Sequence, residues 1–308
     1  MSVGNLRAGG AGKTPVVEQI ARLLVASGER PAILTRGYAR RVASDGTTVV
    51  SDGSQILAGV ETAGDEPLML ARALPGVPVL VGVDRYLSGR LAERRFSSTV
   101  HLLDDGFQHL ALARDVDLLI SAVGDLTERT LPAGRLREPA ASASAADALL
   151  VTDLAPEAVD RLRRALNVPT VFQLRRLLGP ARWVGTGAAV PRDQPILALA
   201  GIARPERFFD DLAAAGWQVR ETLAYPDHHW FTDGDVDRIA AAARASDLAV
   251  LTTEKDAVRL AIRKLNGLRL AVVGLTVAID PPAFAEWLLE RIRAARAGLA
   301  RDTPMAKP

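Results

Sequence analysis

The chain of 308 residues has no cysteine and only four histidines. The first absence excludes disulfide scaffolds, thiolate zinc sites, iron–sulfur clusters and thiol nucleophiles together, and the second leaves little for metal chemistry. Long apolar runs are also missing: the longest, around residues 196–203 and 270–279, have strand length, far below the roughly 18–20 residues of a spanning helix. A glycine-rich segment begins at Gly4, where a signal peptide would carry a charged and then an apolar region. Charge of one sign is scarce too, with 38 Lys+Arg against 36 Asp+Glu, a net +2. Such a balance argues against nucleic acid as a partner, and paired arginines such as Arg40-Arg41, Arg94-Arg95 and Arg175-Arg176 are scattered as solvated faces would be. These absences predict a cytoplasmic protein, or one peripheral at the inner membrane surface.

A hydrophobic content of 48% with 24% charged residues is ordinary globular composition. Short aliphatic runs alternate with helical stretches, the pattern of an α/β protein with a mostly parallel sheet flanked by helices. Strands are predicted at 32–35, 77–81, 99–103, 116–120, 148–152, 170–174, 196–200, 249–253 and 270–275. A helix is predicted over 15–27, where Val16, Ile20, Leu23 and Leu24 share a face and Gly28 stands at a C-terminal cap. Residues 40–64 suggest a small hairpin excursion, and 140–146 a short alanine-rich helix. Gly, Pro and Trp replace the alternation over 178–194. This predicts a nucleotide-binding and catalytic domain over 1–180, a smaller α/β lobe over 181–298 and a disordered tail over 299–308.

The sharpest local signal is Gly9-Gly10-Ala11-Gly12-Lys13-Thr14 followed by Pro15 and an amphipathic helix. Glycines let backbone N–H groups turn toward phosphate oxygens, the helix N-terminus favours anions, Lys13 can reach terminal phosphates and the Thr14 hydroxyl can ligate magnesium. Arg7 occupies the position of the first glycine in the strict pattern, and only Met1, Ser2 and Val3 precede Gly4. Either the sheet lacks its usual first strand or the chain begins late.

Nucleotide chemistry needs an acid at a strand end to hold the metal, and the apolar run before Asp104-Asp105-Gly106 supplies two. Asp65, in Gly64-Asp65-Glu66-Pro67, is either a helix N-cap or a base toward a hydroxyl, the second role requiring a partner. Tyr225-Pro226-Asp227-His228-His229-Trp230-Phe231 concentrates two of the histidines in an aromatic loop, suited to that partnership or to a structural role. Val83-Asp84-Arg85 and the Arg135 to Glu138 stretch set arginines beside acids, for phosphate contact or for ion pairing. Thr252-Thr253-Glu254-Lys255-Asp256 is similar to base-recognition positions of some P-loop proteins, and capping by Thr253 accounts for it equally.

Taken in order, Val3-Gly4-Asn5-Leu6, Thr35-Arg36-Gly37-Tyr38, Gly64-Asp65-Glu66-Pro67, Asp104-Asp105-Gly106-Phe107-Gln108-His109, Arg137-Glu138-Pro139, Asp227-His228 and Thr253-Glu254-Lys255-Asp256-Ala257-Val258 resemble the tetraacyldisaccharide 4′-kinase family. The resemblance implies a P-loop NTPase-like fold and Mg²⁺-dependent transfer of the ATP γ-phosphate to the 4′-hydroxyl of a tetraacylated glucosamine disaccharide 1-phosphate, in lipid A biosynthesis. It implies that the phosphate loop, from Gly9 to Thr14, and Gln108 serve the nucleotide, that Thr14, Asp104, Asp105 and Glu138 surround the metal, and that Asp65 with His228 activates the hydroxyl. Arg85 and Arg137 would stabilise transferring charge or bind the substrate's phosphate. The implied partners are an acylated disaccharide 1-phosphate and the cytoplasmic face of the inner membrane.

Two departures from the family pattern carry expectations of their own. Relatives begin with an apolar and basic helix and a strand before the loop, so this chain is expected to attach weakly to membrane, to leave a sheet position unfilled or to have its start codon placed too late. Arg7 stands where the family has threonine. A P-loop ATPase or GTPase switch acting on a protein partner, and a truncated inactive kinase, are the alternative readings.

Overall fold

The computed structural model describes residues 1–10, 12–42, 45–265, 267–280 and 282–298. The expected tail over 299–308 and Ala11 of the phosphate loop lie outside the described residues. The strands are β1 (Ser2–Asn5), β2 (Pro31–Thr35), β3 (Thr48–Asp52), β4 (Pro78–Val81), β5 (Val100–Asp104), β6 (Asp117–Ser121), β7 (Ala148–Thr152), β8 (Val171–Trp183), β9 (Pro195–Ala200), β10 (Gln218–Ala224), β11 (Ala249–Thr253) and β12 (Leu270–Ile279). Among the described residues they form one sheet in the order β10-β9-β11-β12-β8-β7-β6-β1-β5-β2-β4-β3. The helices are α1 (Lys13–Ala26), α2 (Val60–Ala63), α3 (Asp65–Ala73), α4 (Arg85–Phe96), α5 (Pro156–Leu166), α6 (Pro205–Ala214), α7 (Asp233–Ala245), α8 (Glu254–Leu260) and α9 (Ala283–Arg296).

The expected gap before the phosphate loop is not there. Ser2–Asn5 is itself a strand, buried throughout, paired in parallel with β5 on one side and β6 on the other. Four residues suffice because both neighbours supply ladder partners, and the polar Ser2 side chain is satisfied by Asp117 at 2.6 Å. Gly4 is required here, since a Cβ would come within 2.4 Å of the Phe107 Cβ. β1 therefore lies against the Asp104–Gln108 turn.

From β2 to β8 the strands run parallel apart from β3, and β9 to β12 run parallel to one another. The two sets are joined by an antiparallel pair, β8 with β12. β7 ends beside Leu174, while β11 ends beside Val273, whose partner on β8 is Ala181. The C-terminal strand ends of both sets consequently face each other across residues 174–181, roughly 20 Å of extended chain. That stretch of β8, with β12, floors a cleft between them.

Helices cover both faces. Val16, Val17, Ile20 and Leu24 of α1 pack with α3 and α9 residues on one face of the first set, and Leu162 and Leu166 of α5 pack on the other. In the second set α6 buries Phe208 and Leu212, and α7 buries Val236 and Ile239 on the opposite side. The apolar face expected over 15–27 is this α1, which ends at Ser27 with Gly28 at φ +84°.

Three local expectations need correction. The 140–146 segment is a 3₁₀ helix, Ala140–Ala145. In the 40–64 excursion, β3 pairs antiparallel with the distant β4, with only an isolated bridge, Ser51 to Ile56, closing locally. β8 continues to Trp183, into the first part of the expected irregular stretch, because β12 supplies it with a partner strand.

Candidate active site

The cleft has a volume of about 960 Å³ and its walls are the strand ends just described. Gly9, Gly10, Gly12, Lys13 and Thr14 line one side. Gly9 and Gly12 adopt φ of +94° and +76°, a left-handed conformation glycine takes without steric cost, and Gly12 caps the start of α1. A Cβ on Gly10 would come 3.0 Å from the Ala203 Cβ, so the loop lies close against the segment after β9. The Lys13 ammonium donates to Asn5 Oδ1 at 2.8 Å and pairs with Asp105 at 3.4 Å. Arg7 is drawn away from the loop, its guanidinium paired with Asp125 at 2.8 Å.

Asp104 ends β5 and Asp105 follows it, both lining the same cleft. Burial and the nearby Glu66 push the Asp104 carboxyl up to about 7, and its Oδ1 is buried without a hydrogen-bond partner. For Asp105 burial acts upward as well, yet the Lys13 and Arg137 charges outweigh it and hold the carboxyl below the usual range. An orphaned carboxylate oxygen next in sequence to a phosphate-loop contact is the environment a divalent cation would complete. Among the described residues no group of three or more His, Asp or Glu is arranged to hold a metal. Magnesium takes one or two carboxylates and fills its remaining positions with phosphate oxygens and water, and Asp104, Asp105 and the Thr14 hydroxyl are oxygen donors of that kind on the cleft.

Arg137 donates to Asp105 Oδ1 at 2.8 Å and to Gln108 Oε1 at 2.9 Å, and Gln108 in turn donates to Asn5 O and to Glu138 Oε1. Glu138 is therefore one step removed, held by Gln108 and outside the cleft lining, unlike the other three metal candidates. Arg85 lines the cleft at the first position of α4, and its neighbour Asp84 caps that helix. It is 3% exposed, donates to the Gly82 and Val83 carbonyls and leaves Nε unpartnered.

Asp65 and His228, 163 residues apart, meet: His228 Nδ1 lies 3.0 Å from Asp65 Oδ2. Asp65 is the first residue of α3 and Gly64 the N-cap, so the capping reading is replaced by the partnership. Burial acts upward on the Asp65 carboxyl, but the His228 hydrogen bond and the charges of Lys255, His228 and Arg259 hold it below the usual range. His228 lines the cleft with Asp65 behind it. His228 and Asp105 have φ of +58° and +54°, a conformation that costs non-glycine residues energy and recurs at functional sites. His229 instead contacts Asp235, the third residue of α7, which is a structural role.

Thr253 caps α8, accepting from the Asp256 N–H, so capping accounts for that threonine. Lys255, two residues on, was expected among base-recognition positions and instead reaches Glu66 at 3.0 Å and His228 Nε2 at 3.2 Å. Arg176, expected on a solvated face, lines the cleft instead and pairs with Asp211 at 2.6 Å, and Arg204 and Arg207, for which no role was expected, line it too. They carry no motif, and it is the packing of α6 against β8, seen in the Arg176–Asp211 pair, that gathers them.

A family model described as Tetraacyldisaccharide-1-P 4′-kinase matches residues 1–293. The chain belongs to this family. A tetraacyldisaccharide 4′-kinase of Pelobacter propionicus is 41% identical over 267 residues, covering 84% of this chain and 73% of that protein. One from Anaeromyxobacter sp. is 40% identical over 287 residues, covering 89% and 76%. Among solved structures, LpxK from Aquifex aeolicus in complex with ATP is similar with a TM-score of 0.74 and 33% identity, covering 94% of this chain and 87% of that one. The phosphate loop, the paired strand-end acids and the Asp65–His228 contact are thus features of a tetraacyldisaccharide-1-P 4′-kinase family member.

Proposed function

We propose that this chain transfers the γ-phosphate of ATP to the 4′-hydroxyl of a tetraacylated glucosamine disaccharide 1-phosphate, with magnesium. The observation that carries the reading is the junction of a phosphate loop, strand-end carboxylates and a carboxylate–imidazole pair on one cleft. Backbone N–H groups of the loop and Lys13 would hold the phosphates, at the expense of the present Lys13 contact with Asp105. Thr14, Asp104 and Asp105 would hold magnesium, with Glu138 supporting through Gln108; bound there, the ion draws charge off the phosphate oxygens.

The acceptor oxygen forms its bond to the γ-phosphorus as the bond to the bridging oxygen of ADP breaks, and the hydroxyl proton passes to the Asp65–His228 pair. His228 is the member on the cleft, its Nε2 would take the proton at the expense of the present Lys255 contact, and Asp65 behind it would stabilise the charge it gains. Arg85 and Arg137 supply positive charge to the transferring group or to the substrate's phosphate. We assign the nucleotide to a lobe over residues 1–180 and the covering wall to a second lobe over 181–298 that is joined to it by the β8–β12 ribbon and sends α9 back onto the first lobe.

Exposed apolar side chains support a lipid acceptor at a membrane surface. Tyr38 and Val83 line the cleft with 72% and 61% exposure, and Tyr86, Leu87 and Leu110 are exposed in neighbouring segments of chain. Among the described residues no helix is long and apolar enough to cross a membrane. Purified protein incubated with labelled ATP and the disaccharide 1-phosphate should yield 4′-phosphorylated product, and absence of product would end the proposal. A nucleotide switch has no use for Asp65 and His228: nucleotide hydrolysis that survives Asp65→Ala without lipid phosphorylation would select that reading instead.

A further inference from the structure

Arg259 is the largest fully buried side chain among the described residues, 1% exposed, and stands in none of the seven motifs. Its Nη2 donates to the Gly201 carbonyl at 2.8 Å and to Asp256 Oδ1, while Nη1 lies 3.3 Å from Asp65 Oδ2. Asp256, itself fully buried, is fixed by the Gly201 N–H and the Thr253 hydroxyl. One guanidinium thus joins the end of β9, α8 and the start of α3. Nε and Nη1 find no hydrogen-bond partner, and the group stands 5.9 Å from the Phe231 ring.

A buried arginine left partly unsatisfied is a poor device for stability alone, because well-packed apolar residues serve as well or better there. Its position explains it otherwise. The Asp65 carboxylate is held on one side by the Glu66 N–H and His228 Nδ1 and on the other by Arg259, so its plane is set from two directions. Lys255 Nζ, 3.2 Å from His228 Nε2, is an ammonium and can only donate, which leaves Nδ1 as the protonated nitrogen, turned to Asp65.

We propose that Arg259, anchored on Asp256 and Gly201, is a positioning residue that holds the Asp65 carboxylate against His228 and so fixes the tautomer in which the imidazole meets the acceptor. The assignment rests on the kinase reading for its catalytic consequence and on geometry alone for the pair itself. The charged and titratable groups around Asp65 are Glu66 on its own helix, Asp227 and His228 after β10, Lys255, Asp256 and Arg259 on α8, and Tyr38, whose ring lies 5.2 Å from His228.

The test is Arg259→Met and Arg259→Lys in the full chain, with kinetics and the imidazole Nδ1–H resonance of His228, assigned by its loss in His228→Gln. In Arg259→Met, kcat should fall on the order of tenfold to a hundredfold with both KM values unchanged. The acid limb of the kcat profile should rise by about one pH unit, since a cation that favours ionised Asp65 is gone, and the Nδ1–H signal should vanish into exchange. Arg259→Lys should recover part of each effect, because one ammonium cannot span Asp65 and the Asp256–Gly201 anchor together. If Arg259→Met fails to fold, Arg259→Lys carries the same readouts against wild type. Unchanged pH profile and Nδ1–H signal, whatever happens to kcat, would overturn the assignment. A wild-type protein without kinase activity whose Nδ1–H signal still depends on Arg259 would refute the kinase reading and keep the positioning role.

Discussion

Asp104 offers a test in which stability and function oppose each other. Its carboxyl titrates near 7 in the folded chain against an ordinary 3.8, because it is buried beside Glu66 with an oxygen unpartnered. The folded state then binds the proton more tightly than the unfolded state, so Asp104 destabilises the fold increasingly as pH rises from about 4 to about 7, and fully above that. At 1.36 kcal/mol per unit the full cost is about 4 kcal/mol. Asp104→Asn removes the charge and nearly keeps the shape. Without nucleotide or metal, the variant should therefore exceed wild type at pH 8 by up to about 4 kcal/mol, roughly 6 °C in Tm for a chain of this length. Near pH 4 the two should coincide. Urea unfolding at pH 4.5 and pH 8 measures this, and the same variant should lose phosphoryl transfer. A stability difference independent of pH, or a less stable variant at pH 8, would refute the account of a carboxylate buried in wait for a cation. Saturating Mg–ATP should shrink the gap by stabilising wild type selectively.

The other expectations follow from single contacts. Asp65→Ala should lower kcat by about 10²-fold or more with intact folding by circular dichroism, as expected where a group tunes proton transfer. Gly4→Ala drives a methyl group into the Phe107 Cβ at 2.4 Å and should cost about 1–3 kcal/mol in denaturant titration. Arg7→Ala breaks the pair with Asp125, 2.8 Å long and mostly buried, and should cost about 1–3 kcal/mol while kcat changes little, because Arg7 is turned away from the phosphate loop.

Local chemistry made much of this protein readable in one dimension. Strands 148–152 and 249–253 coincide with β7 and β11, because fully buried parallel strands demand unbroken aliphatic runs. The turn from Gly9 to Thr14 announces itself because only glycines, a lysine and a hydroxyl meet phosphate in that order. β10 escaped notice, since its alternation of half-buried and exposed residues at the sheet's edge resembles a polar loop. β1 was too short to register without the two strands that flank it.

Residue types and local order fixed which chemistry the chain can perform: a phosphate loop, strand-end acids and a histidine loop are encoded by neighbours along the chain. Which of them work together was decided by tertiary structure. Asp65 meets His228 and Arg259 only because β8 and β12 join two oppositely directed half-sheets, turning both sets of strand ends toward one cleft. Within the first half-sheet, Glu138 is held back by Gln108 and Arg7 by Asp125. A side chain's partners depend on distances set by packing between segments from 30 to well over a hundred residues apart, and no short-range pattern carries that information.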